Sequence, residues 1–263
     1  MFEVNTIKIH RAQPSVARVL YLGDDDMDRA AVYLGCILFK ENYSFHYIPS
    51  TSLFPNDLVL DFFDLLIISD YPAKNFQPRQ FERIEKWVED GGSLLMIGGW
   101  ESFSGLNLEY TATPLKSLLP VNMLDHDDRC NLCHGCLILP VEEHEVTRGL
   151  NWEAPPVIGG FNRVSLKAGA ELILKGHTVH LEYHQGLGYR LDDETLPMLA
   201  SMAVGHGRAT ALMFDLAPHW IGGMVDWYQK RVTIRFNDLF VEVGDQYYQF
   251  VANLLRFCSR KER

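Results

Sequence analysis

The sequence predicts an α/β protein with three layers, in which helices cover both faces of a flavodoxin-like, doubly wound and mostly parallel sheet. Two observations support this fold class. Short apolar runs lack the strict alternation of a half-exposed strand, which is typical of strands that are buried on both faces. Helix-like segments separate these runs, and strands that alternate with helices of this length form crossovers between parallel strands.

The first predicted elements follow one another directly along the chain. The apolar run 18–22 is a strand, 23–26 is an aspartate-rich loop, and 28–40 has the pattern of a helix. Two further strands are predicted at 45–48 and 64–70. Polar residues follow these runs, so the carboxyl edge of the sheet is expected to be polar.

The next helix and strand have clear boundaries in the sequence. Apolar residues recur at helical spacing over 77–90, Pro78 suits the first turn, and Gly91 suits the position just past the helix end. The stretch 91–105, GGSLLMIGGWESFSG, then predicts a buried strand that runs into a glycine-rich turn. Such a turn often presents a nucleophile, but this one presents a tryptophan.

The second half of the chain is less regular. Residues 121–195 contain short apolar runs separated by Gly, Pro, Asn and His, which predicts short strands and loops. The α/β pattern then resumes in four segments: the apolar run 196–204, the strand 209–214, the loop 215–220 and a terminal helix over about 245–260. No linker or repeat divides the chain, so 1–263 is expected to be one domain with 121–195 as an irregular β-rich insertion.

Composition excludes several classes of partner. The chain has 263 residues, 47% of them hydrophobic, and a formal net charge of -10, which leaves no broad basic surface for nucleic acid. Its start lacks the features of a secretory signal, and no apolar run reaches membrane-spanning length. We therefore expect a cytoplasmic protein with no membrane partner, whose five cysteines are mostly reduced.

Several segments occur in an order that resembles a known family. They are 18–25, the strand 64–70, the helix and strand through 91–99, the phrase 144–150 (HEVTRGL), and 207–220, which contains GRA and FDLAPHW. In combination they resemble the class I glutamine-amidotransferase-like fold, and within it the glutamine-amidotransferase-like proteins related to trehalose-utilisation-type domains. The resemblance covers most of the chain.

This resemblance implies where a glutaminase nucleophile would stand. True glutaminases of the fold have a Gly-x-Cys-x-Gly turn, which falls here on Gly98-Gly99-Trp100-Glu101-Ser102, with Trp100 in place of the cysteine. The expected His-x-Glu is also incomplete, because Ile221 stands two places after His219. Loss of the nucleophile in a comparable triad costs about a millionfold in turnover. The resemblance thus implies a protein without glutaminase activity, although Ser102 is a distant alternative nucleophile.

Ligands of open α/β sheets bind at the carboxyl ends of the strands, so we expect a crevice there. An aromatic ring and carboxylates in one crevice suit a small polar metabolite or a sugar, and carboxylates also suit a divalent cation. Alternatively, the paired glycines form only a tight turn, and the aspartates of 24–26 only a solvated helix start. We expect Asp70 to lie in this crevice as well. The predicted ligand-binding residues are Asp24, Asp25, Gly98, Gly99, Trp100, Ser102 and Trp220.

The sequence is also compatible with two other functions. A hydrolase of a sugar or an amide could use His219 as general base, helped by Glu101 or Asp215. Alternatively, the chain is a non-catalytic assembly subunit, with a homo-oligomer as one form, whose contacts would come from the aromatic region 227–240.

The cysteine-rich segment 130–136 gives one possible metal site. Three thiols at this spacing, Cys130, Cys133 and Cys136, could bind zinc with a histidine as the fourth ligand, taken from His126, His134 or His144. In a regular strand, however, the thiol at 133 would point away from the other two. The apolar run that follows favours a strand, so no cofactor is expected and zinc is the alternative.

Overall fold

A computed structural model describes residues 7–9, 15–107 and 109–259. Its strands are β1 (Ile7–Ile9), β2 (Arg18–Gly23), β3 (Ser44–Ile48), β4 (Leu65–Ser69), β5 (Ser93–Ile97), β6 (Val121–Met123), β7 (Arg129–Pro140), β8 (Val157–Asn162), β9 (Val164–Leu166), β10 (Glu171–Tyr183), β11 (Leu187–Leu191), β12 (Leu196–Val204), β13 (Gly207–Leu212), β14 (Arg231–Phe236) and β15 (Leu239–Gly244). Its α-helices are α1 (Ala31–Lys40), α2 (Pro78–Glu89), α3 (Leu115–Leu118), α4 (Pro218–Val225) and α5 (Asp245–Ser259).

Most of these strands belong to one sheet, in the order β1-β3-β2-β4-β5-β13-β12-β10-β7-β8, with β11 paired to β10. Its central part, β3-β2-β4-β5-β13, is parallel throughout. Helices lie on both sides of it, so the predicted doubly wound α/β fold is confirmed. From β12 to β8 each strand is antiparallel to its neighbour, which the sequence pattern did not predict.

The two faces of the central sheet contribute to two apolar cores. Alternate residues of a strand point to opposite faces, so Ile67 packs in the core with α1 and α5 while Leu66 packs in the core with α2 and α3. The predicted boundaries of α2 hold, because Pro78 occupies the first turn and Gly91 takes a φ of +120° just beyond the helix.

The middle segment 121–195 is more regular than its sequence predicts. The strands β7 and β10 are 12 and 13 residues long, and both extend the main sheet. Gly135, with a φ of +85°, lies where the β7–β8 register shifts between Asn131 and Cys136. Such a bulge makes a continuous strand look like two fragments in the sequence.

One predicted segment near the carboxyl end needs correction. Residues 215–220 are not all loop, because Pro218 begins α4. The region 227–240, expected as the contact of an assembly subunit, includes the β14–β15 hairpin. Phe236 of this hairpin packs within its own chain, with its ring centroid 4.9 Å from Phe39 and 5.9 Å from Phe45, while Phe240 is exposed. The terminal helix is confirmed to Ser259, and residue 260 lies outside the described residues.

In the parts of the chain that the structure describes, no helix combines the length and apolar character needed to span a membrane.

Candidate functional site

A crevice of about 590 Å³ opens at the carboxyl edge of the parallel strands. The structure brings together in it most of the residues that the sequence singled out. The lining residues are Asp24, Asp25, Ala30, Ser50, Asp70, Trp100, Glu101, Leu106, Asn107, Arg129, Asn131, His219 and Trp220. The predicted Gly98, Gly99, Ser102 and Asp215 are not in this lining and lie behind it.

Asp24 follows β2 and is buried in the crevice floor. Its carboxylate accepts hydrogen bonds from the Tyr21 hydroxyl and from Ser69 Oγ, the latter at 3.2 Å. The Tyr47 hydroxyl donates to its backbone carbonyl at 2.7 Å. Burial raises the pKa of Asp24 well above its usual range, and the nearby carboxylates of Asp215 and Asp70 raise it further. Asp24 is thus a buried and hydrogen-bonded side chain rather than a solvated helix start.

Asp70 follows β4 with a left-handed φ of +45°. One carboxylate oxygen accepts the Glu101 backbone N–H at 2.8 Å, and the Asp70 N–H donates to Ser102 Oγ at 3.2 Å. Burial raises the pKa of Asp70 to about 7, helped by the charge of Asp215. Ser102 is fully buried in this arrangement, so it holds Asp70 in place and is not displayed as a nucleophile.

The two glycines after β5 allow a close approach behind the crevice wall. A Cβ on Gly99 would lie 2.0 Å from Asp70 Oδ1, and one on Gly98 would lie 2.5 Å from the carbonyl oxygen of Met213. Both residues are buried. The two glycines therefore allow the backbone to pack closely. This is the tight turn that the sequence analysis gave as the alternative to a ligand-binding role.

Trp100, which the sequence resemblance places at the position of the glutaminase cysteine, has 59% of its surface exposed. The guanidinium carbon of Arg129 lies 4.8 Å from the centre of an indole ring, in cation–π geometry. Turns and bends follow Trp100 over 101–107 and 109–114, and the helical residues come only at α3. Within these described residues, no helix directly follows the turn at Trp100.

Two buried residues that the sequence did not predict hold this turn. Asn162 Oδ1 accepts the Gly99 N–H at 2.8 Å, and its Nδ2 donates to Asp128 at 2.8 Å. Asp128 in turn accepts the backbone N–H groups of Ser104 and Gly105, each at 2.9 Å. Burial raises the pKa of Asp128, while these hydrogen bonds oppose the rise.

His219 and Asp215 form an imidazole–carboxylate pair. Asp215 Oδ2 lies 3.4 Å from His219 Nδ1, and Oδ1 accepts the backbone N–H groups of Leu216 and Ala217 at 2.6 and 2.9 Å. The hydrogen bond to Asp215 raises the pKa of His219, whose side chain is 65% exposed. This geometry turns Nδ1 of the imidazole toward the Asp215 carboxylate. Ile221, two residues after His219, is buried in the core.

The far wall of the crevice comes from β7 and α4. Trp220 is nearly buried, and its Nε1 donates to Asn131 Oδ1 at 3.0 Å. A Cβ on Gly160 would lie 2.6 Å from the Trp220 ring, so this glycine lets the indole pack against β8. Arg129 forms an ion pair with Asp127, in which Nη2 lies 2.8 Å from Oδ2. No pattern in the sequence pointed to Arg129 or Asn131. Both lie on β7, and β7 reaches the crevice only because the antiparallel part of the sheet places it there.

The structure does not bring the three cysteines of β7 together. Cys136 is buried, Cys133 is exposed and Cys130 is partly buried. His126 pairs instead with Asp125 at 2.8 Å. Within the described residues, no group of three or more His, Cys, Asp or Glu side chains is arranged to hold a metal ion. None of the chain's five cysteines lines the crevice.

The parallel sheet, the crevice at its carboxyl edge and the turn after β5 define an α/β protein of the glutamine-amidotransferase-like class. Residues 26–240 match the family model described as "Putative glutamine amidotransferase", and the chain belongs to that family. A search of curated proteins finds no match.

Solved structures support the same fold. A cytoplasmic protein of Salmonella typhimurium is 25% identical, with a TM-score of 0.71 over 92% of this chain and 99% of that one. A second cytoplasmic protein of the same species is 24% identical, with a TM-score of 0.69 over 93% and 100%. A ThuA-like protein from Bacteroides uniformis is 14% identical, with a TM-score of 0.55 over 96% of each chain.

Proposed function

We propose that this chain is a cytoplasmic glutamine-amidotransferase-like protein that lacks glutaminase activity, needs no cofactor, and binds a small polar ligand in the crevice. The observation that carries this proposal is the Trp100 indole, which is exposed at the nucleophile position and lines a crevice with carboxylates. A thiol at that position would attack a substrate amide, whereas an indole offers an apolar face for stacking.

The surroundings of Trp100 support the loss of the glutaminase reaction. None of the five cysteines lines the crevice, and Ser102 is enclosed against Asp70. Loss of a triad nucleophile costs about a millionfold in turnover. The position of the glutamate expected after His219 is also filled by Ile221, which is part of the core.

The lining favours a sugar or a similar hydroxylated metabolite. Asp25 and Glu101 supply hydrogen-bond acceptors for hydroxyl groups, while Asn107, Arg129 and Asn131 supply donors. The Trp100 ring offers an apolar surface between these groups. Sugars present the same combination of hydroxyl edges and an apolar ring face, so each part of the lining would have a partner.

Titration calorimetry against a panel of glucose, galactose and their common disaccharides tests this proposal. We expect one or more of these sugars to bind, and Trp100→Ala to weaken that binding about tenfold, which corresponds to about 1.4 kcal/mol. Tyr228→Ala is a matched control, because Tyr228 is an exposed aromatic residue that also lies under an arginine but outside the crevice lining. Equal affinities of the Trp100→Ala variant and the unmodified protein would refute the proposed role of the indole.

The same preparation tests the absence of glutaminase chemistry. We expect no release of ammonia from glutamine above the rate of a blank without protein, with an active glutaminase as the positive control. Ammonia release that depends on the concentration of this protein would contradict the proposal.

One observation supports a second candidate function, a hydrolase that uses His219 as general base. The Asp215 carboxylate orients the imidazole and raises its pKa, as a catalytic base requires. Hydrolysis of p-nitrophenyl glycosides and amides tests this candidate. It requires a pH–rate profile with an imidazole limb that His219→Ala removes, and an unchanged profile in that variant would eliminate it.

A further inference from the structure

A two-stranded arm, residues 179–191, projects from the main sheet. It consists of the outer half of β10 and of β11, paired antiparallel from Val179 opposite Leu191 to Tyr183 opposite Leu187. Alternation along both strands puts every second side chain on one face. That face holds only apolar and aromatic residues, namely Val179, Leu181, Tyr183, Leu187, Tyr189 and Leu191.

This apolar face is open to solvent in the single chain. The exposed fractions are 79% for Tyr183, 77% for Leu187, 71% for Tyr189 and 50% for Leu181. Monomeric proteins rarely leave contiguous apolar patches of this kind uncovered. A two-stranded ribbon without a packed face is also only marginally stable in water, so the arm needs a partner surface.

The polar side chains on the opposite face of the arm already have partners within the chain. Arg190 pairs with Glu182 at 3.2 Å, and His180 Nε2 lies 3.0 Å from Asp192. Thr178 at the base of the arm donates to the same aspartate at 2.8 Å. Only the apolar face is therefore left for a partner.

We propose that this face packs against the same face of a second copy of the chain, forming a two-fold symmetric dimer. The charge distribution favours this occupant. The chain carries a formal net charge of -10, but 179–191 contains one glutamate and one arginine, so two copies can meet there with little repulsion. A basic partner would instead be attracted to the acidic surface elsewhere.

The shape of the face is compatible with self-association. Leu181 lies opposite Tyr189 and Tyr183 opposite Leu187, so the two outer cross-strand pairs of this face each join a leucine to a tyrosine. A two-fold axis uses one patch on both copies and can place each ring over a leucine of the partner. With about 150–250 Å² for each aromatic side chain plus the leucines, two faces would bury ~1,000 Å², the lower limit for a specific interface.

The arm leaves the sheet at the edge that carries the crevice. The strand β10 is antiparallel to β12, which is antiparallel to β13, so β10 runs in the direction of the parallel strands. Its outer half therefore extends beyond their carboxyl ends. The dimer inference is independent of the proposed function, because no residue of the arm lines the crevice.

Sedimentation equilibrium of the full chain tests the proposal. We expect the mass of a dimer at micromolar concentrations, and at least a tenfold increase in the dimer dissociation constant in Leu187→Lys. Tyr183→Lys, on the other strand, should have the same effect. Leu53→Lys is the matched control, because Leu53 is 67% exposed away from the arm and its substitution should leave the dimer intact.

Circular dichroism establishes that each variant is folded, as expected for substitutions of exposed residues. A monomer at every concentration of the unmodified chain would overturn the proposal. So would a dimer that Leu187→Lys and Tyr183→Lys leave unchanged, or a face that is covered by a different protein or by a lipid surface while the chain stays monomeric.

Discussion

Asp70 connects the burial of a single side chain to the pH dependence of the whole protein. Burial raises its pKa to about 7, against about 3.9 in an unfolded chain. Between these two values the unfolded state loses the proton while the folded state keeps it. The free energy of unfolding therefore falls as the pH rises from about 4 to about 7, by up to about 1.4 kcal/mol per pH unit, and this contribution is constant above pH 7.

Replacing Asp70 by asparagine should remove this loss of stability. Asparagine keeps the oxygen that accepts the Glu101 N–H, and it tolerates the left-handed backbone at φ +45°. We expect Asp70→Asn to melt at the same temperature as the unmodified protein near pH 4 and at a higher temperature at pH 8, measured by scanning calorimetry. Asp26→Asn, which changes an exposed carboxylate, is the control. Parallel melting curves for Asp70→Asn and the unmodified protein across this pH range would refute the role assigned to Asp70.

Individual elements were predictable where local signals determine them. In α2, Pro78 in the first turn and a glycine past the end mark both boundaries, and the apolar spacing marks the buried face. The strand β5 was equally clear, because the apolar run 94–97 comes shortly after that glycine, and all five strand residues are buried. By contrast, the lengths of β7 and β10 depend on pairing between segments distant in the chain, which no short window of sequence contains.

The β14–β15 hairpin allows a test at the level of one element. Phe236 packs against Phe39 and Phe45, so Phe236→Ala should lower the free energy of unfolding by about 3–5 kcal/mol. Phe240, on the paired strand, is exposed, and Phe240→Ala should change stability by less than about 0.5 kcal/mol. Urea denaturation measures both. If 227–240 were instead an assembly contact, Phe240→Ala would change the association state, which sedimentation would detect.

Across the whole molecule, the sequence predicted the half of the crevice that follows parallel strands. Asp24, Asp70 and Trp100 each come just after such a strand, and parallel strands share one carboxyl edge. Arg129 and Asn131 could not be predicted in the same way. They reach the crevice only because four antiparallel strands continue the sheet from β13 to β8, a topology that composition and periodicity do not encode.

Because the sheet is continuous, we expect the whole chain to unfold cooperatively. Ile67 in β4 and Ile138 in β7 are far apart in sequence, but both are buried in the same apolar core. If 121–195 unfolds with the rest of the chain, calorimetry should give one transition with equal calorimetric and van't Hoff enthalpies. Ile67→Val and Ile138→Val should each lower that single transition, at a cost of about 0.5–1.5 kcal/mol. Two transitions, with each variant shifting only one of them, would instead show that 121–195 is a separate folding unit joined to an independent α/β domain.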